Sequence, residues 1–203
     1  LERVLFVPYA GVTFSYDDYA AKVRTAFAEI GYAIDAIHDV ADPKQAVAAA
    51  QAIAVGGGNT FHLLDELYRA DIVHAIRERV QAGVPYMGWS AGSNVACPTI
   101  KTTNDMPIVM PPSFEALGLV PFQMNPHYLD AHPQGHQGET REQRLLEFIE
   151  VNPGVQVVGL REGSALRIDG SDISLLGGNS ARIFVKGESP RELTSADSLE
   201  FLL

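Results

Sequence analysis

A single cysteine, Cys97, stands in a chain of 203 residues, which excludes an intramolecular disulfide and fits a reducing compartment. It reads as a small buried residue. Long apolar runs are also missing: no segment approaches the roughly 20 residues that cross a bilayer. The opening Leu1-Glu2-Arg3-Val4-Leu5-Phe6-Val7 is too short for a signal-peptide core. A cytoplasmic protein with no membrane partner is expected. Positive charge is scarce, with 15 Lys and Arg against 25 Asp and Glu and a net charge of −10. The cations are scattered, so binding to a phosphate backbone is electrostatically opposed and no nucleic-acid partner is expected. Metal-ligand patterns are thin too. His132 and His136 are four apart, but Pro133 and Gly135 between them defeat a helical ligand pair, and no nearby cysteine completes a tetrahedral set. Neither a metal nor a cofactor is expected.

What remains is an ordinary globule, 46% hydrophobic and 20% charged, of a length that suits one domain over residues 1–203. In the first half, short β-rich runs alternate with helical patterns. Val4–Val7, Ala33–Ile37, Ala52–Val55 and Val84–Met87 read as buried strands. Ser15 caps a helix with Asp18 in the capping-box position, and Tyr19, Val23, Phe27 and Ile30 give it one apolar face before Gly31. Lys44–Ala52 and Thr60–Ala82, the latter as two helices meeting near Asp71, supply the next crossovers. This order predicts an α/β fold with a mostly parallel sheet and flanking helices. After Pro98 comes a polar, proline-bearing stretch from Thr99 to Pro112, then a strand over Gly118–Gln123 and a helix over Thr140–Val151. The tail differs again: Val155–Leu160, Ala165–Ile168, Ile173–Leu176 and Arg182–Val185, separated by Gly-containing turns, predict antiparallel C-terminal hairpins added to the sheet.

The pentapeptide Gly88-Trp89-Ser90-Ala91-Gly92 lies between the run Val84–Met87 and the helix-compatible stretch Ala91–Ala96. That is the context of a nucleophile elbow, a sharp strand-to-helix turn that lifts a serine Oγ out of the backbone. Small residues two before and two after the serine let strand and helix approach closely. A second turn, Gly56-Gly57-Gly58-Asn59-Thr60, also follows a strand and precedes a helix. Its spacing matches neither a dinucleotide fingerprint nor a P-loop with its lysine. Beside an elbow serine it reads best as an oxyanion loop, and in a parallel sheet both loops emerge at the C-terminal ends of the strands, where α/β active sites assemble.

A serine nucleophile needs a base. His62 and His74 fall inside helical patterns and His38 at a strand end, where a structural histidine is the simpler reading. His127, in Asn125-Pro126-His127, follows the run Leu119–Met124 and so occupies a strand-end loop. The base in turn needs an orienting carboxylate. Glu162, Asp105 and Asp130 all qualify, and the residues alone do not choose among them. With Glu162 the chain order would be Ser, His, acid, which differs from the α/β-hydrolases and implies another α/β family.

Several segments make that family specific. Pro8-Tyr9-Ala10-Gly11-Val12-Thr13, Val55-Gly56-Gly57-Gly58-Asn59-Thr60-Phe61, the elbow itself, Cys97–Val109, Asn125-Pro126-His127 and Gly138–Arg144 together resemble peptidase E, the α-aspartyl dipeptidase family. The likeness covers nearly the whole chain. It implies a fold like class I glutamine amidotransferases and a Ser-His-Glu triad acting on small dipeptides with N-terminal aspartate, with no cofactor. Residue by residue, Ser90 matches the nucleophile, His127 the base and Glu162 the acid. Gly57, Gly58 and Ala91 match the oxyanion region, and Asn59 and Arg141 match positions contacting the aspartyl group. Members of that family usually carry a further strand and helix before the segment that begins here at Val4, so a homodimer covering exposed sheet is expected. Two other readings share the fold: a cyanophycinase-like hydrolase of β-aspartyl units, and a non-catalytic amidotransferase-like binding module.

Overall fold

In the computed structural model, which describes residues 1–130 and 137–203, the βαβ grammar of the first half becomes a run of short strands and helices. β1 (Arg3–Val7), α1 (Tyr16–Glu29), β2 (Ala33–Ala36), α2 (Pro43–Ala49), β3 (Ile53–Val55), α3 (Thr60–Arg69), α4 (Val73–Gln81), β4 (Tyr86–Gly88) and α5 (Ala91–Ala96) lie in one compact unit, Leu1–Leu119. Its four strands pair in the order β2-β1-β3-β4, all parallel.

Alternation along the strands sorts the core onto two faces. Val4 and Phe6 of β1, with Ala54 of β3, pack with Ala20 and Val23 of α1. Leu5, Val7, Ile53 and Val55 point the other way and pack with Val47, Leu63, Leu64, Leu67, Ile76 and Val95 from α2, α3, α4 and α5. The sheet is therefore covered on both faces, as an all-parallel sheet requires.

Local chemistry sets the helix ends. The Ser15 hydroxyl accepts the Asp18 amide at 3.0 Å and starts α1. The apolar face of α1 is shorter than expected, because Ile30 is the residue after its last turn and is exposed. Helix α2 starts at Pro43, not Lys44: Asp42 caps it through the Gln45 amide, and proline is pre-organised for the first helical turn. It stops at Ala49, which leaves Ala52 free to be buried at the entrance to β3. Between α3 and α4 the chain turns at Asp71, whose φ of 53° is left-handed.

The second unit, Val120–Leu203, contains β5 (Gln123–Pro126), α6 (Arg141–Val151), β6 (Val157–Leu160), β7 (Ser164–Asp169), β8 (Asp172–Gly177), β9 (Ala181–Phe184) and β10 (Arg191–Leu193). Its main sheet has the order β10-β9-β6-β5, parallel between β5 and β6 and antiparallel at β6/β9 and β9/β10. Strands β7 and β8 form a separate two-stranded hairpin rather than extending that sheet. The expected strand Gly118–Gln123 begins later, at Gln123. The amides of Leu117, Gly118 and Leu119 are instead donated to the carbonyls of Val95, Cys97 and Ala96 at the end of α5, so they cannot enter a ladder. The late start makes His127 the residue immediately after β5. Among the described residues, no helix is long and apolar enough to cross a membrane.

Candidate active site

Ser90 has φ 54° and ψ −113°, a conformation that L-residues avoid and that costs of order 1–3 kcal/mol. The surroundings hold it there. The Trp89 amide donates to Val55 O at 3.3 Å and the Gly92 amide to Trp89 O at 3.0 Å, while Ser93 and Asn94 donate to Ser90 O at 3.0 and 3.1 Å. Tyr86 donates its hydroxyl to Gly92 O at 2.7 Å, and Ser93 donates Oγ to Gly88 O at 3.0 Å. Glycine is obligatory on both sides of the turn: a Cβ on Gly88 would collide with Gly92 O, and one on Gly92 with Val55 O. The Ser90 hydroxyl does not cap α5 and is left at the crest of the turn.

The triglycine turn lies against this elbow. A Cβ on Gly57 would sit 2.8 Å from Ser90 Cβ, so the bare backbone is what lets the two loops touch. Gly58 has φ 142° and a Cβ there would meet Ala10 O, which again admits only glycine. The Gly56 amide donates to Val7 O at 3.0 Å and the Asn59 amide to Ala10 O at 2.9 Å. Gly57, expected in the oxyanion group, donates its amide to the Tyr19 hydroxyl at 2.9 Å. Among the described residues, the amides of Gly58 and Ala91 have no hydrogen-bond acceptor.

Asn59 Oδ1 accepts the His62 amide at 3.0 Å and so caps α3, while its Nδ2 donates to Met106 O at 2.9 Å. Both ends of this amide are engaged within the loop cluster. Thr60, fully buried, donates its amide and its hydroxyl to Asp105 Oδ2, and its Oγ1 accepts from Asn94 Nδ2 at 3.2 Å and from Thr103 Oγ1 at 3.0 Å. This polar knot ties α3, α5 and the 103–105 segment together.

In the second unit, His127 sits at the end of β5 with φ 57°, and its Nδ1 is hydrogen-bonded to Glu162 Oε1. Glu162 lies in the turn between β6 and β7, where Asn179 Nδ2 donates to its carbonyl at 2.7 Å and Gly163 takes φ 74°. The neighbouring Arg161 grips Asp130 with two nitrogens, at 2.8 and 3.0 Å, and reaches Glu192 at 2.7 Å. Arg182 joins Glu192 to Glu142 at 3.0 and 2.7 Å. The loops carrying His127 and Glu162 and the first turn of α6 are thus laced by one chain of charges. It acts on Glu192, whose carboxyl is held down to about 2, chiefly by the hydrogen bond from Arg161.

Arg141 is the first residue of α6, after a Thr140–Gln143 capping box. Its Nη1 donates to the carbonyl of His127. Burial and the nearby Arg144 charge lower its pKa. The carboxylates nearest to it along the chain, Glu139, Glu142 and Glu147, are not within ion-pair distance of Arg141; Glu139 pairs with Arg144 and Glu142 with Arg182. Of the other histidines, His38 meets Asp17 at 3.0 Å and His62 meets the Tyr16 hydroxyl at 3.4 Å, while His132 and His136 lie outside the described residues.

A model of peptidase family S51 matches residues 1–176. The chain belongs to peptidase family S51. It is a serine-type peptidase by that membership. Curated relatives agree along the full length. A peptidase E of Nostoc sp. is 51% identical over 203 residues, 100% of this chain and 84% of that protein. One of Shewanella amazonensis is 54% identical over 199 residues, 98% of this chain and 85% of the other. A crystal structure of a candidate peptidase E from Listeria monocytogenes superposes with a TM-score of 0.67 at 26% identity, covering 88% of this chain and 87% of its own. In this S51 chain the sequence pattern pointed to the elbow and the glycine turn but not to Tyr19, which reads as one more apolar residue on α1. Nothing in its spacing signals that its hydroxyl touches either loop.

Proposed function

We propose that this S51 peptidase hydrolyses dipeptides with an N-terminal aspartate through Ser90, His127 and Glu162. The observation that carries the reading is the left-handed Ser90 at the crest of a strand-to-helix turn, with the amides of Ala91 next to it and of Gly58 in the adjoining glycine turn both without an acceptor among the described residues. The family name shared by the relatives, peptidase E, and the Glu162 contact to His127 support the rest.

In this reading His127 Nε2 removes the proton as Ser90 Oγ bonds to the substrate carbonyl carbon, and the carbonyl π electrons move to oxygen. The Gly58 and Ala91 amides receive that oxyanion; Gly57 contributes the clearance above Ser90 rather than a donor. Collapse of the adduct breaks the C–N bond, and the proton on His127 goes to the departing amine. Water, activated by the same imidazole, then cleaves the aspartyl ester and restores Ser90. Glu162 fixes the imidazole so that Nδ1 carries its proton and Nε2 is the basic nitrogen. Arg141, which pairs with no carboxylate among the described residues, is the cation for the substrate's aspartyl group. Asn59 secures the loop between Gly58 and α3, and a substrate contact from its Nδ2 exchanges the bond to Met106 O.

The test is a panel of Xaa-Leu dipeptides with Asp, Asn, Glu or β-linked Asp first, run on the wild type and on Ser90→Ala. Turnover confined to α-Asp-Leu and lowered by three or more orders of magnitude in Ser90→Ala is expected. Preference for the β-linkage would replace the assignment with a cyanophycinase-like one. No turnover and no labelling by a fluorophosphonate would leave a binding module.

A further inference from the structure

The triglycine turn is an unusual place to build a rigid hydrogen-bond donor, because three consecutive residues without Cβ leave the peptide planes free to rotate. Two of its amides are pinned by backbone: Gly56 to Val7 O at 3.0 Å and, just beyond, Asn59 to Ala10 O at 2.9 Å. The third pin is a side chain from another element. Tyr19, on α1, accepts the Gly57 amide at 2.9 Å and also accepts Trp89 Nε1 at 3.0 Å. One phenolic oxygen therefore binds the glycine turn and the residue immediately before Ser90 at the same time.

Everything around the hydroxyl is shaped to hold it. The Tyr19 ring stands edge-on to Phe6 and to Phe14, each at 5.1 Å, and Phe6 stacks on Trp89 at 5.8 Å with planes 4° apart. Gly56 is bare where the hydroxyl passes: a Cβ there would lie 2.7 Å from it. Burial raises the Tyr19 pKa above its usual 10.0 against the opposing pull of the Trp89 and Gly57 hydrogen bonds, so the phenol stays neutral and accepts without bringing a charge near the serine.

We infer that Tyr19 is a positioning residue for the oxyanion hole, locking the glycine turn in register with the elbow so that the Gly58 amide is the one left facing the reacting carbonyl. With Gly56, Gly57 and Asn59 each held, rotation of the Gly57–Gly58 peptide is the only remaining freedom, and it is limited from both ends. Loss of the hydroxyl releases one end. The Gly57 amide then competes for the space and the Gly58 amide loses its aim, and a donor off line by even about 1 Å costs rate rather than affinity.

This inference rests on the Ser90 reading above, and the experiment separates the two. Tyr19→Phe keeps the ring and both edge contacts and removes only the oxygen. With Asp-Leu, kcat per fluorophosphonate-titrated serine is expected to fall roughly 10- to 100-fold with KM changed less than about twofold. The affinity for an aspartyl aldehyde, whose tetrahedral adduct carries the oxyanion, should fall by the same factor as kcat. Binding of uncleaved Asp-Leu to Ser90→Ala, with and without Tyr19→Phe, should be equal. Trp89→Phe removes the other donor to the same oxygen, and the double variant should be no worse than Tyr19→Phe alone. A wild-type kcat in Tyr19→Phe, or in Trp89→Phe if the first does not fold, overturns the inference, as does a lost kcat with undiminished aldehyde affinity. Activity surviving in Ser90→Ala would instead overturn the nucleophile assignment.

Discussion

Asp105 accepts two hydrogen bonds from a single residue, Thr60, one from its amide at 2.8 Å and one from its hydroxyl at 2.6 Å. Both fall on Oδ2, and both pull the carboxylate toward the start of α3, within the same unit as the serine. Asp130 is likewise occupied, by Arg161. Of the three carboxylates that the residues offered as partners for the base, Glu162 is the one hydrogen-bonded to His127. Asp105 acts on the loops that carry the site, and Glu162 on the imidazole.

The two roles separate in measurement. Glu162→Gln cannot hold the imidazole tautomer and is expected to lower kcat on Asp-Leu by roughly 10³–10⁴-fold with little change in thermal stability. Asp105→Asn presents an amide to Thr60 on a buried network and is expected to destabilise by about 1–3 kcal/mol, seen as a lower Tm. An Asp105→Asn variant with wild-type Tm and abolished turnover, beside a fully active Glu162→Gln, would reverse the assignment.

Gly92→Ala tests the elbow itself. The new Cβ would press on Val55 O, the carbonyl that holds the Trp89 amide, so α5 must move away from β3. A loss of about 1–3 kcal/mol is expected from overpacking of this kind. Because Ser90 is strained only while its neighbours hold it, labelling by a fluorophosphonate should slow as well. Unchanged Tm and labelling rate would show that the close approach is not needed.

How much of this could be read from the residues follows from the range of the forces involved. The βαβ order, the cap at Ser15 and the break near Asp71 are written in short windows, since capping and periodicity act over a few residues. Ser90 was legible because its motif specifies a backbone turn. The start of β5 was not, because the carbonyls that claim Leu117, Gly118 and Leu119 come from α5, more than 20 residues earlier. β10 was missed for a related reason: Arg191-Glu192-Leu193 has no alternating apolar pattern and is held by pairing with β9. The choice among carboxylates and the role of Tyr19 were out of reach, since each depends on one contact spanning 35 or more residues.

Glu192 gives the second unit an acid-sensitive limb. Its carboxyl lies at about 2, below the ordinary 4.5, mainly because Arg161 donates to it. A depressed carboxylate contributes stability that is fully present above its unfolded value and is lost as pH falls through the folded one. The window is therefore between 4.5 and about 2. Glu192→Gln should lower Tm at neutral pH, and the difference from wild type should shrink across that window. A difference that stays constant down to the lower end would mean that the Arg161–Glu192 pair adds nothing to stability, an outcome common for pairs this exposed.

In the proposed reading Arg141 sets selectivity, and its bond to the His127 carbonyl gives it a second way to act. As the cation for the substrate's aspartyl group it would discriminate Asp from Asn, since a guanidinium grips a carboxylate with two parallel, charge-assisted bonds and an amide much less well. As a strap on the base loop it would support all substrates equally. The two contributions are resolved by a ratio. In Arg141→Ala, kcat/KM for Asp-Leu is expected to fall at least about tenfold further than for Asn-Leu, because only the former loses an ion pair out of bulk solvent. The common part of the loss reports the strap. Arg141→Lys should restore some of the Asp preference but little of the rate, since a point charge reproduces neither the fork nor the reach to the His127 carbonyl. Equal losses on both dipeptides would leave Arg141 with the strap alone and would move the search for the aspartate-binding cation to another residue.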